Sequence, residues 1–444
     1  MVTKYGSCPW VAWLAVVILS SACSPEPGVD STPGAGKGKT DTAWISDSSF
    51  ELGAVLESRV TRQASGAWAE LATDRALQEQ LVDTQVKFAK RAMMKADYEI
   101  NQLVYRIRSL DVTTDGDRVT LGYSASVDLV KNEGPGVEPP PLEDLPQLEF
   151  DVPLPLDPVD VKARVGERCA ADWEPYSLRE DNYYYYFRPG KDGCDLELHT
   201  GKLTIEKVYP RRVVYPEYDR LLGALEGGGK GFRAAMLPTN EDSDTAAILA
   251  RMKDMLELDL GLTATQVEGD DRFDRYLWTR DGATMVIDLY DPNKTWGFKK
   301  TYQEALGKYQ LVHYAGHSEY GSKDLLSDAT KFSKEYQVFM MWSCHSYAYY
   351  ARRVFRAKAT LEDPTGFAAA DFVGTAPTPF FGDEARGIRE LLEGLMDGIA
   401  AVSRGEDNQA PTWIEIIKKM NLTSWDRPYG AAGARTNEWQ PAAP

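Results

Sequence analysis

Two side chains in this 444-residue chain have types and settings suited to covalent catalysis. His317 closes the apolar part of "YQLVHYAGHSEYGS", and Cys344 closes that of "YQVFMMWSCHSYAYY", 27 positions later. A thiolate attacks carbonyl carbon readily, and an imidazole can accept its proton or protonate a departing amine. The chain has 4 histidines, and His313, His317 and His345 all lie in these two segments. A second chemistry competes, because His313, His317, Cys344 and His345 are all zinc-type donors. His313 and His317, however, stand four apart on a predicted strand, a span of about 13 Å, so one ion reaches both only if the chain turns sharply. The spacing therefore favours nucleophilic chemistry, with no metal and no other cofactor.

Both segments read as buried strands, and they must be held side by side. Parallel strands that stop at a His and at a Cys bring both groups to one sheet edge. Open α/β sheets build their sites there, outside the carboxyl ends of the strands. The surrounding pattern suits such a sheet. "FRAAMLPTN", "TATQVEG", "ATMVIDLYD" and "DFVGTAPTPFF" read as strands. "DSDTAAILARMKDMLEL", with Ile248, Met252 and Met255 on one face, reads as a helix, as do residues 300–309 and "EARGIRELLEGLMDGIAAV". Residues 324–336 leave room for a short helix. The alternation predicts an α/β fold over residues 230–444, a mostly parallel sheet with helices on both faces.

Residues 43–225 read as a separate α+β domain with no chemistry attached. Phe50, Val55, Leu56 and Val60, then Leu77, Leu81 and Phe88, predict helix over 47–98. Alternating strands follow on either side of Asp115-Gly116, a hairpin turn signal. Eight prolines between 134 and 158 predict an irregular connection rather than a central strand. Three strands are expected over 182–210. In them Tyr183, Tyr184, Tyr185 and Tyr186 are either a two-faced strand or a ligand platform, and His199 has no evident partner. "GALEGGGKGF" marks a boundary but lacks the order of a phosphate loop, since Gly231 follows Lys230.

The net charge of -17 argues against a nucleic-acid surface and against a polybasic membrane contact. The N-terminus reads as an export signal over residues 1–23: Lys4, an apolar core from Val11 to Leu19, then "SSAC". This resembles a bacterial lipoprotein signal with Cys23 lipid-modified; simple secretion is the alternative. Residues 24–42 suit a flexible tether, so the membrane partner is a lipid anchor on the cell envelope. In an oxidising compartment Cys169 and Cys194 form a natural disulfide pair, which leaves Cys344 as the lone thiol of the mature protein.

Residues 230–444 resemble the caspase-like cysteine peptidases of clan CD, and among them the gingipain-type bacterial enzymes. "LVHYAGHS" is similar to the family's strand ending in Gly-His-Gly. "VFMMWSCHSY" is similar to the strand ending in the nucleophile, and "FVGTAPTPFF" with its helix to the elements after it. The resemblance implies Cys344 as nucleophile and His317 as acid, with the amides of Ser318 and Cys344 binding the oxyanion. It implies that Gly316 lets the His loop turn, that Glu319, Trp342 and Tyr347 shape the substrate cleft, with core packing the alternative for Trp342 and Tyr347, and that the substrate is a peptide or protein. Ser318 departs from the family, which has Gly there. Glu319, Asp371 and Asp383 are either solvated loop carboxylates, the reading their type favours, or an acidic pocket that selects a basic residue. The alternative reading is a catalytically inactive caspase-like lipoprotein that serves as a surface scaffold or binding protein.

Overall fold

The structure, a computed structural model, describes residues 44–442 except 95–97, 157–160, 162–164, 171–182, 184–186, 226–227, 296, 322–323 and 435–436. The signal, the tether, Cys23 and Tyr184–Tyr186 thus lie outside the described residues. The described chain is mixed α/β, built on two sheets.

The first sheet is antiparallel and has five strands: β1 Ser49–Gln63, β2 Tyr98–Asp115, β3 Arg118–Asn132, β4 Glu149–Pro155 and β5 Leu198–Val208, in the order β2-β3-β1-β5-β4. One face carries α1 (Ala67–Leu71) and α2 (Arg75–Met94). Leu52, Ala54 and Leu56 of β1 join Leu81, Val86 and Met93 of α2 in one core. The helix expected over 47–98 is therefore half wrong. Phe50, Leu52, Ala54 and Leu56 alternate with a period of two, and pairing with β3 from Ser49↔Asn132 to Gln63↔Arg118 outweighs the weak helical stripe. The Asp115-Gly116 turn joins β2 to β3 as read, with Gly116 at φ 58. The proline-rich segment does hold a strand, β4, at the sheet edge where proline's missing N–H does least harm. Of the three strands expected over 182–210, the described residues contain β5. Cys169 and Cys194 are disulfide-bonded, their Cα atoms 4.7 Å apart. His199 does have a partner, the Ser58 hydroxyl, at 2.8 Å.

The second sheet holds the candidate site. Its strands are β6 Gly223–Ala224, β7 Lys230–Pro238, β8 Thr265–Val267, β9 Asp270–Arg280, β10 Ala283–Tyr290, β11 Leu311–Ala315, β12 Gln337–Trp342, β13 Ala370–Thr375 and β14 Tyr429–Ala432. The order is β14-β13-β12-β11-β7-β10-β9-β8, with β6 against β7. Strands β13, β12, β11, β7 and β10 are mutually parallel; β14, β9, β8 and β6 pair antiparallel. The sheet is thus mixed, a parallel centre with antiparallel margins, rather than mostly parallel. Strand β9 escaped notice because its two buried residues, Phe273 and Tyr276, stand three apart on opposite faces, among charges, and show no alternation. Asp281-Gly282, at φ 51 and 82, turns it into β10.

Helices cover both faces. Along β12, Phe339 and Met341 enter one core while Val338, Met340 and Trp342 enter the other. The first face packs on α5 (Phe298–Leu306) and α6 (Ser346–Lys358); the second packs on α3 (Tyr218–Leu221), α4 (Ile248–Asp254), α7 (Glu384–Arg404) and α8 (Trp413–Leu422). Ile248, Met252 and Met255 are buried together as their spacing predicts. The first core also takes in Phe88, Val130 and Cys169, so residues from both halves of the chain surround α6. A bridge between Ile45 and Ala431 ties the start of the described chain to β14.

Candidate active site

Register brings the two candidate residues together. Strands β11 and β12 pair in parallel from Leu311↔Val338 to Ala315↔Trp342. The Gly316 N–H donates to the Trp342 carbonyl at 3.2 Å, which extends the ladder past the last strand pair. His317 and Cys344 each follow that pair by two residues, so they leave neighbouring strands at the same level. The direction of chain progression reverses between β7 and β11, since β10 lies on the far side of β7. That is the switch point at which α/β sheets open a crevice.

His317 is oriented by a residue the sequence reading missed. Its Nε2–H donates to Asp242 Oδ2 at 2.6 Å. Asp242 stands on the loop leaving β7, and its Oδ1 accepts from the Asp244 amide at 2.9 Å and the Thr245 amide at 3.1 Å. Burial pushes the Asp242 carboxyl up, but the Thr245 amide and His317 outweigh it and hold the group below the usual carboxylate range. A charged carboxylate on Nε2 fixes the tautomer and leaves Nδ1 to exchange protons. The ring also meets Phe381 at 5.1 Å, and Phe381 meets Trp342 edge-on at 5.0 Å. Only the position of Asp242 just after a central strand could have signalled its role, among several acidic neighbours.

Cys344 is a free, half-buried thiol at a sharp strand-to-helix turn. His345, the N-cap of α6, has φ 48 and ψ 36. Glu319, two residues past His317, has φ 44. Non-glycine residues held in this region cost about 1 kcal/mol or more each, and such strain gathers at functional sites. Burial pushes the Cys344 thiol up; the nearby Thr378 side chain opposes this and Asp426 adds to it, with the net direction upward. Among the described residues no hydrogen bond joins it to the His317 ring, which is held on Asp242.

The backbone around these residues offers anion binding. The Ser318 carbonyl accepts from Tyr350 Oη and from the Gly321 amide, while the Ser318 amide has no acceptor among the described residues. The Cys344 amide contacts its own sulfur. Gly316 is needed for space rather than for a left-handed turn. A Cβ there would lie 2.2 Å from Thr239 Oγ1 and 2.8 Å from Tyr314 Oη.

Other expected residues go elsewhere. Trp342 and Tyr347 do not line a cleft: both are buried, Trp342 in the core beneath the site and Tyr347 against Trp44 with ring centres 4.3 Å apart. Glu319 is half-buried beside His317. Asp371 is no pocket carboxylate. It is buried among Tyr336, Trp413 and Asn437, and burial pushes it up to about 7 despite these hydrogen bonds. Asp383 accepts from Ser424 Oγ at 3.1 Å and the Trp425 amide at 3.2 Å, so it braces the loop before β14. That loop supplies what the sequence reading lacked. A cleft of about 530 Å³ opens beside His345 and Pro377, rimmed by Trp425, Asp426 and Arg427 of this loop and by Glu133 from the other half of the chain. Trp425 is 92% exposed there.

The metal reading loses two donors. His313 is wholly buried in β11 with neither ring nitrogen bonded, and burial lowers it to about 3. His345 Nδ1 lies 2.8 Å from the Ala376 carbonyl. Asp242, Asp244 and His317 bring one donor atom each within 4.8 Å of one another. In this group the Asp242 oxygens already serve the Asp244 and Thr245 amides and the His317 ring. Comparison with family models, curated proteins and solved structures found no match.

Proposed function

We propose that this chain is a cysteine endopeptidase of the caspase-like, gingipain-type kind, with Cys344 as nucleophile and His317 as general acid. The observation that carries the reading is the parallel register: both residues stand two positions past the pair Ala315↔Trp342, beside the switch point between β7 and β11. In this reading the Cys344 sulfur attacks the scissile carbonyl carbon, and the oxyanion is held by the amides of Ser318 and Cys344. Each such donor contributes roughly 3 kcal/mol in known cases. His317 Nδ1 takes the proton that leaves the sulfur and, steadied by Asp242, gives it to the departing amine. Water then hydrolyses the thioester and frees the thiol. The cleft with Trp425 at its rim holds the polypeptide, and the exposed indole offers a flat apolar surface for a substrate side chain.

The test is active-site labelling. Peptidyl acyloxymethyl ketones bearing Arg, Lys, Asp or Asn beside the warhead are incubated with purified protein, and the adduct is mapped by mass spectrometry. The reading expects an adduct on Cys344 that is lost in His317→Ala. Cys344 that stays unlabelled by every probe and alkylates only after denaturation would refute it. One observation favours the second reading, a non-catalytic surface scaffold: among the described residues no hydrogen bond joins the Cys344 sulfur to an imidazole, and His317 is held on Asp242.

The proposed setting is the cell envelope, with Cys23 carrying a lipid. Metabolic labelling with a radioactive fatty acid, lost in Cys23→Ser, checks it. Among the described residues no helix is long and apolar enough to cross a membrane.

A further inference from the structure

The cleft beside His345 is assembled from distant parts of the chain. Tyr98 of β2 and Glu133, just past β3, come from the N-terminal half; His345, Trp425 and Arg427 come from the other, and Ser48 lines the cleft as well. Rims carried on separate loops bind a ligand well only if their separation is fixed beforehand. Ser48 touches both. Its carbonyl accepts from the Glu133 amide at 2.9 Å and the Gly134 amide at 3.1 Å, which carries the β1–β3 ladder past its last pair, Ser49↔Asn132. Its hydroxyl donates to the Arg427 carbonyl at 2.8 Å. One residue thus joins the two rims, through its backbone on one side and its side chain on the other.

The position of Ser48 is itself fixed from behind. Ile45 and Ala431 exchange two backbone hydrogen bonds, of 2.8 and 2.9 Å. The Trp44 ring covers Gly430, where a Cβ would lie 2.2 Å from it. Ser46 Oγ donates to the Tyr429 carbonyl at 2.8 Å and accepts from the Ser48 amide at 3.2 Å. Asn421, fully buried in the last turn of α8, donates through Nδ2 to Asp47 at 2.6 Å and to the Ser48 hydroxyl at 3.2 Å. Its Oδ1 accepts from the Tyr429 amide at 2.8 Å, so the loop over 423–428 is closed at its base. Within that loop Arg427 stands at φ 49, a conformation that a non-glycine residue keeps only when its surroundings impose it. The Ser48 hydroxyl on the Arg427 carbonyl is one such constraint.

We infer that Ser48, backed by Ser46 and Asn421, pins the two rims together, and that the N-terminal half is thereby part of the substrate site. The substrate half of this statement rests on the peptidase reading; the pin does not. Ser48, Ser46 and Asn421 are positioning residues: they set where Glu133, Trp425 and Arg427 stand, and so how well the cleft grips a polypeptide beyond the residue next to the scissile bond.

Two measurements on purified native protein, Ser48→Ala and Ser46→Ala test it. Hydrogen exchange is followed by mass spectrometry in peptides covering 132–136, 423–428 and β12. The pin requires exchange to quicken about tenfold at 132–136 and 423–428 together, while β12 keeps its native rate. Faster exchange at 423–428 alone, or at neither rim, would overturn it. A rise of equal size in all three peptides would do so too, since it reports a weaker fold rather than freed rims. Labelling of Cys344 is then timed with two peptidyl acyloxymethyl ketones that share the residue beside the warhead, one carrying that residue alone and one carrying four residues. Both variants should lose about tenfold in the preference for the longer probe. An equal loss for both probes would remove the rims from substrate binding and overturn the inference. Native protein that neither probe labels would sink the peptidase reading, and the exchange rates alone would then decide whether the pin stands.

Discussion

Replacing His313 by Leu should change how stability depends on pH by an amount the structure fixes. His313 lies in β11, wholly buried, with neither ring nitrogen bonded, and desolvation lowers it from 6.5 to about 3. In the unfolded chain the ring takes a proton below pH 6.5, whereas in the fold it stays neutral. Stability from this residue is therefore complete above pH 6.5 and is lost as pH falls towards 3. Between pH 7 and pH 5 the loss comes to about 2 kcal/mol. Asp371 works in the opposite direction, because burial raises it from 3.8 to about 7. The fold holds its proton between those values, so stability falls as pH rises from 3.8 to 7. In the native protein the two slopes largely cancel, and a pH scan of that protein alone hides both. The difference between His313→Leu and native protein isolates the histidine. Loss of shape complementarity adds a constant at every pH, while the variant gains about 2 kcal/mol on the native protein from pH 7 to pH 5. Urea denaturation followed by tryptophan fluorescence, in both proteins at pH 5, 6 and 7, measures this. A difference constant across those three values would refute the reasoning and mean that His313 takes a proton inside the fold.

Asp242→Asn should slow labelling of Cys344 by peptidyl probes about 10- to 100-fold, because it leaves an amide where the imidazolium needs a charge; an unchanged rate would reduce the Asp242–His317 pair to a loop contact. Gly316→Ala should destabilise by about 1–3 kcal/mol through the Cβ clash with Thr239. Adding Thr239→Ala should recover part of that in a thermal melt; strict additivity of the two changes would disprove the clash. Reducing the Cys169–Cys194 disulfide should cost about 3 kcal/mol, read as a lower thermal midpoint in dithiothreitol.

The strands carrying His317 and Cys344 were legible because both are continuous apolar runs, the mark of strands buried on two faces. The disulfide was legible from compartment and elimination. β1 was not, since its period-two and helical patterns overlap, and the choice was made by fifteen residues of pairing with β3. β9 was hidden for a similar reason: its charges are tolerated at one side of the sheet by partners such as Asp288, Lys253 and Glu304. Trp342 and Tyr347 adjoin the nucleophile in sequence, but a side chain next to a reactive one on a strand or helix usually points another way, and both are core. The sequence by itself determined which side chains can do chemistry, the order in which they come and the parallel strands that end in them. It did so because residue type and hydrophobic periodicity are local properties. Tertiary structure alone decided that Asp242 holds His317, that Thr378 meets His345, and that Trp425 rims the cleft beside His345. Those meetings join residues 33 to 80 positions apart, and they depend on strand register and loop closure, which no local pattern encodes.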